Sequence, residues 1–199
     1  MVPPLTKPPP LTNPHHRPAI PTTSNQTDGW LSSRSAEVYE TSTETLFVGR
    51  QDAMQRHTLI PIAHVLKNRA EEQTVNVLEV GCGTGRFHTF LRDNLPLDAS
   101  TIALDLSPFY LEQAKRNDRR WRRLRAAGSG VVKPATFIHA AAESVPLPSE
   151  SQDIVVMVYL LHECPSDARR VLAAEAARLL RPGGCVWLRI PFSSGTGLH

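Results

Sequence analysis

The run VNVLEV at 75–80 ends on three glycines spaced two apart, Gly81, Gly83 and Gly85, and a helix is expected through about Leu95. A strand that turns through glycines straight into a helix opens a βαβ unit, which sets the next strand parallel beside it. The alternation recurs down the chain. TIALDL (101–106), ATFIHA (135–140), DIVVMVYL (153–160) and CVWLRI (185–190) are predicted strands. Ser107 is a good N-cap and Pro108 suits a first helical position, so a helix is expected from there towards Gly128 and Gly130. SDARRVLAAEAARLL (166–180) is an alanine-rich amphipathic helix stopped by Pro182, Gly183 and Gly184. Before the first strand, 35–49 is expected to form a short helix and turn, and a second helix from Gln51 to Lys67 to be kinked by Pro61. The fold class is therefore α/β, a doubly wound, mostly parallel sheet covered on both faces by right-handed crossovers.

Ligands of such sheets bind beyond the carboxyl ends of the strands, where strand order reverses. The loop Gly81-Cys82-Gly83-Thr84-Gly85 sits at such an end, and glycine there lets a ligand approach the backbone with no Cβ in the way. The second strand ends in Asp105, twenty residues beyond Gly85, where a carboxylate can accept from both hydroxyls of a ribose. The dinucleotide fingerprint G-x-G-x-x-G would need a third glycine where Arg86 stands, which argues against a nicotinamide cofactor.

The loop is instead E-x-G-x-G-x-G, with Glu79 at the strand end, and it resembles motif I of the class I S-adenosylmethionine-dependent methyltransferases. AAAESVPLPSESQDIVV (140–156) and LLRPGG (179–184) are similar to that family's later strand-end and turn segments, with the type 11-like, small-molecule and quinone group as the best match. The resemblance covers roughly 75–190 and implies a Rossmann-like methyltransferase fold with S-adenosyl-L-methionine as cofactor. It implies that Gly81, Cys82, Gly83 and Gly85 line the methionine end, with Cys82 a small loop residue rather than a nucleophile. Glu79 then shapes the loop and favours a cationic ligand, Asp105 binds the ribose, and the backbone of Leu106 borders the adenine. Many relatives carry an aspartate at the position of Ala141; alanine here leaves adenine recognition to Ala142 and Glu143. Tyr159, His162 and Glu163 follow the fourth strand and face the same region. His162 is the candidate general base for an acceptor that must lose a proton, against the alternative of a histidine placed by packing or capping.

The expected function is methyl transfer from S-adenosylmethionine to a small-molecule acceptor; the alternative is a cofactor-binding, weakly active or inactive methyltransferase-like chain. The tail MVPPLTKPPPLTNPHHRPAIP holds eight of the 17 prolines, so 1–27 is read as an extended tail. Residues 28–70 form a helical lead-in and 71–199 the cofactor-binding domain. The tail has no apolar core of a secretory signal, and the expected location is cytoplasmic, with organelle targeting by the acid-free tail as the alternative. Cys82, Cys164 and Cys185 have no metal-site spacing, so no metal is expected, and the longest apolar run, 154–161, is too short to span a bilayer. KRNDRRWRRLR (115–125) carries seven basic residues against Asp118, and reads as a solvated helix face rather than a nucleic-acid or membrane surface. The chain ends nine residues after CVWLRI, where relatives have two further strands. It is expected to be C-terminally truncated or trimmed, with self-association through the exposed edge strand.

Overall fold

The computed structural model describes residues 30–67, 74–129 and 133–190, so the proline-rich segment 1–27 lies outside the described residues. Five strands form one parallel sheet in the order β3-β2-β1-β4-β5: β1 (Asn76–Val80), β2 (Ser100–Asp105), β3 (Thr136–His139), β4 (Gln152–Val158) and β5 (Leu180–Arg189). The chain winds outward from β1 to β3 and then returns to lay β4 against the other side of β1. The switch point thus falls between β1 and β4, the most apolar strands; β4 is buried along its whole length.

Side-chain alternation divides the core between the two faces. On one face Val77, Ile154, Val156 and Val158 pack against Phe87, Phe90 and Leu91 of α4 (Arg86–Asp93) and Ile62 of α3 (Leu59–Lys67). On the other, Leu78, Val80, Leu104, Val155 and Met157 meet Leu172, Ala176 and Leu179 of α6 (Ser166–Leu179). Each large apolar side chain so buried stabilises the fold by about 1.5–3 kcal/mol before the loss of chain entropy. α5 (Pro108–Ser129) starts as its sequence implies, with the Tyr110 N–H donating to Ser107 Oγ at 3.2 Å.

Two local features differ from the sequence reading. The stretch 51–67 is two helices, α2 (Gln51–Arg56) and α3, separated by a turn in which the Thr58 N–H donates to the Gln55 carbonyl. Pro61 therefore occupies the first turn of α3, where its missing N–H breaks no helical bond, rather than a kink. β5 begins at Leu180, directly after α6, instead of at Cys185. Gln152 pairs with Leu180 and Ile154 with Cys185, so three extra residues bulge out around Gly183, whose φ is +82°.

α1 (Ser33–Leu46) precedes all of this. Ser32 caps it by accepting from the Ser35 N–H at 3.1 Å, and it packs on α5 and α2. Among the described residues no helix is long and apolar enough to cross a membrane.

Candidate cofactor and acceptor site

The glycine loop is fastened to the end of β2. The N–H groups of Gly81 and Cys82 both donate to the Leu104 carbonyl, at 2.8 and 2.9 Å, and the Gly85 N–H donates back to the Cys82 carbonyl. All three glycines have positive φ, but they are needed for different reasons. A Cβ on Gly81 would stand 3.0 Å from Leu160, and one on Gly85 would stand 3.0 Å from Ala114 of α5, so both positions are closed by packing. A Cβ on Gly83 would meet only Tyr110 at 3.9 Å and Tyr39 at 4.0 Å. The least crowded, and in that sense open, side of the loop is thus at Gly83, where two tyrosines stand at van der Waals distance.

Asp105 holds that open side in place. Its Oδ2 accepts from the Gly83 N–H at 2.7 Å and its Oδ1 from the Ser107 N–H at 2.8 Å. Burial raises the carboxyl above its usual range, while the N–H groups of Ser107, Gly83 and Leu106 draw it down. These N–H groups leave part of a carboxylate's acceptor capacity unused, so it can still take a donor from a ligand.

Glu79 and Cys82 turn away from the open side. Glu79 is 2% exposed, its Oε2 2.8 Å from Nδ1 of the buried His88 on α4. Cys82 packs with Ala103, Leu111 and Ala114; burial first, then Asp105 and Glu79, push its thiol well up, which makes it a poor nucleophile. Leu106 is exposed, with its carbonyl 2.9 Å from Nε2 of His139. Ala142 packs beside the α6 core and Glu143 is exposed. Tyr159 follows β4 directly with φ +57°, and its buried hydroxyl has no partner among the described residues. His162, in a 3₁₀ turn at Leu161–Glu163, meets Tyr159 edge-on at 6.2 Å, and its Nε2 lies 2.8 Å from Glu163 Oε1.

The sequence reading missed the roof over these residues. The ring of Tyr39, on α1, lies 5.1 Å from that of Tyr110 above Gly83. Glu40 Oε1 accepts from Thr84 Oγ1 at 3.0 Å and from Asn117 Nδ2 at 2.9 Å. Ser107 Oγ donates to the Trp30 carbonyl, and Phe47 stacks on Tyr159 at 6.2 Å. α1 and its flanks therefore run from the end of β2, across the glycine loop, to the end of β4. A cleft of about 550 Å³ on this lead-in, lined by Glu44, Thr45, Gln51, Asp52 and Arg86 among others, contains none of the expected site residues. Among the described residues no cluster of His, Cys, Asp and Glu could hold a metal ion.

Residues 77–184, more than half of the chain, match the methyltransferase domain family. The chain belongs to that family. This methyltransferase domain is of the class I, S-adenosylmethionine-dependent, type 11-like group. It is similar to the tRNA N(3)-cytidine methyltransferase METTL2 of Xenopus tropicalis, 26% identical over 58% of this chain and 33% of that protein. It is also similar to the phthiotriol/phenolphthiotriol dimycocerosates methyltransferase of Mycobacterium tuberculosis, 35% identical over 54% of this chain and 34% of that one. Among solved structures, Haemonchus contortus phosphoethanolamine N-methyltransferase 1, in complex with phosphoethanolamine and S-adenosylhomocysteine, shares the fold. Its TM-score is 0.53 at 16% identity, over 79% of this chain and 32% of that one. The chain spans about a third of the length of the curated relatives it matches.

Proposed function

We propose that this domain binds S-adenosylmethionine over Gly83 and Asp105 and presents its methyl group to a small-molecule acceptor held near the end of β4. The observation that carries the reading is Asp105, which orders the open face of the glycine loop and keeps unused acceptor capacity beside it. The bound cofactor supplies an electrophilic sulfonium methyl, open to in-line displacement.

The chain's own residues bind, orient and exclude water. Asp105 accepts from the ribose hydroxyls, and the backbone at Leu106 with Ala142 and Glu143 borders the adenine. The missing side chain at Gly83 lets the methionine portion approach the loop, and Gly81, Cys82 and Gly85 set its curve. Glu79 adds negative charge beneath the loop. Tyr39 and Tyr110 close the space from above, which keeps water from the reacting atoms and holds the nucleophile in line. Tyr159 stands edge-on to His162 on the acceptor side, and His162, with Nε2 committed to Glu163, has Nδ1 left to take a proton from an acceptor that must lose one.

A small acceptor is favoured over tRNA by the state of the basic run on α5. Arg122 pairs with Asp118, Arg125 with Asp93, and Lys115, Arg116 and Arg119 gather around Glu112, so much of its charge is engaged within the domain. Cys82, Cys164 and Cys185 are all free thiols, which suits a reducing, cytoplasmic setting. Titration calorimetry with S-adenosylhomocysteine and NAD tests the cofactor, and methyl incorporation from labelled S-adenosylmethionine into small-metabolite and RNA fractions tests the acceptor. Binding of NAD with no response to S-adenosylhomocysteine would sink the proposal.

A further inference from the structure

Glu79 pairs in register with Ala103 of β2, so Asp105 stands two residues further along the same face of the sheet. α4 covers that face and brings His88 down onto Glu79, Nδ1 to Oε2 at 2.8 Å, with both residues 2% exposed. The other ring nitrogen, Nε2, is buried and has no hydrogen-bond partner among the described residues. The imidazole instead faces the ring of Phe137, 6.3 Å away.

This asymmetry selects one proton arrangement. A neutral imidazole with its hydrogen on Nδ1 donates to an ionised Glu79 and leaves only a lone pair unmet at Nε2. An imidazolium, or a protonated Glu79 donating to Nδ1, would place an N–H at Nε2 with no acceptor. A buried donor without a partner carries the full desolvation penalty, which favours the first arrangement and opposes the cost of burying the Glu79 charge.

We propose that His88 is a positioning residue for the cofactor: its Nδ1–H holds Glu79 as an oriented anion beneath the glycine loop, where that charge favours a cationic ligand. The inference rests on the reading of the cofactor site given above. The titratable groups facing Glu79 are His88 from α4, Asp105 from the end of β2 and the Cys82 thiol from the loop. Burial pushes the Glu79 carboxyl up, the His88 hydrogen bond pulls it down, and Asp105 adds a smaller push upward. Without the imidazole N–H the upward pushes stand unopposed. Glu79 then takes up its proton at a higher pH, and the attraction for a sulfonium or ammonium group goes with the charge. Affinity therefore falls as pH drops through the Glu79 titration, and in a variant lacking the donor that fall begins at higher pH.

The test compares wild type, His88→Leu and His88→Asn by calorimetric titration with S-adenosylmethionine from about pH 6 to about pH 9. The leucine variant is expected to bind more weakly than wild type at the acid end of this range, because its Glu79 takes up a proton at higher pH. It should converge on wild type near pH 9. The asparagine variant, whose amide can donate from near the place of Nδ1, should restore the wild-type profile. In the unliganded wild type, nitrogen-15 NMR of the imidazole should show a protonated Nδ1 and a bare Nε2. A deficit in the leucine variant that is equal at every pH, or a ring protonated at Nε2, would overturn the role of His88 while leaving the cofactor site intact. Wild type that binds no S-adenosylmethionine at any pH would overturn both. Should the leucine variant fail to fold, the asparagine variant and the NMR tautomer decide: loss of the pH profile in a folded asparagine variant counts against the proposal.

Discussion

Replacing Asp105 with alanine removes two things at once, and they can be measured apart. Its carboxylate accepts from the N–H groups of Gly83 and Ser107 at 2.7 and 2.8 Å, and a hydrogen bond to a charged group contributes about 1.5–3 kcal/mol. Burial of the carboxylate offsets part of that, as the upward shift of its titration shows. The net loss of stability in the unliganded domain is then about 1–3 kcal/mol, or about 2–12 °C in Tm for a chain of this size. The affinity for S-adenosylhomocysteine should fall separately by about 1–3 kcal/mol, or about 5- to 150-fold, through loss of the ribose contacts. Asp105→Asn keeps the shape but turns an amide NH2 towards one of the two backbone N–H groups, so it should not rescue either property. Thermal melting of the unliganded protein and calorimetry with S-adenosylhomocysteine are the assays. A folded alanine variant with reduced Tm and unchanged affinity would make Asp105 a loop anchor only; unchanged values for both would refute the geometry altogether.

Gly85→Ala should destabilise more than Gly83→Ala. The added Cβ at Gly85 meets Ala114 Cβ at 3.0 Å and Cα at 3.1 Å in addition to a φ of +78°, whereas Gly83 has room. About 2–4 kcal/mol is expected for the first and about 1–2 kcal/mol for the second, read from denaturant midpoints, and the reverse order would contradict the packing described. On β5 and just after it, Val186, Leu188 and Ile190 alternate in sequence and are 40%, 50% and 57% exposed, at the edge of the sheet among the described residues. Light scattering should therefore show concentration-dependent association that Leu188→Lys suppresses, and a monodisperse monomer would remove that face as a contact.

The parts of the candidate site legible in the sequence were those whose chemistry is local. Gly81, Gly83, Gly85 and Asp105 announce themselves because a tight turn and a strand-end acid leave short, regular spacings. Ser107 and Pro108 marked the start of α5 for the same reason. The roof was invisible because its contacts are remote: Glu40 meets Thr84 and Asn117, 44 and 77 residues away, and α1 carries no strong apolar stripe to announce a packing surface. His88 was missed because only the register of α4 over β1 brings it to Glu79. The division of 51–67 into two helices turned on a three-residue bond at Gln55 and Thr58 that outweighed a continuous apolar pattern. The length of β5 was hidden because Pro182, Gly183 and Gly184 read as a stop, whereas the strand absorbs them as a bulge.

α1 buries only Ser35 and Ala36, and its ties to the loop are side-chain hydrogen bonds and the Tyr39–Tyr110 ring contact rather than a continuous apolar seam. A segment held that way opens by local unfolding at a fraction of the free energy needed to disturb β1 and β4. The domain thus pairs a stiff floor with a soft ceiling, and on the proposed reading of the site a spent nucleoside leaves by the melting of one helix while the sheet stays whole. Amide hydrogens of α1 should exchange with solvent well before those of β1, and slow down when S-adenosylhomocysteine is present; equal protection of the two would mean that the ceiling is as rigid as the floor. On the proposed reading of the site, the hold of Glu40 on Thr84 and Asn117 then bears on cofactor release although it lies away from the end of β4, where the acceptor is placed.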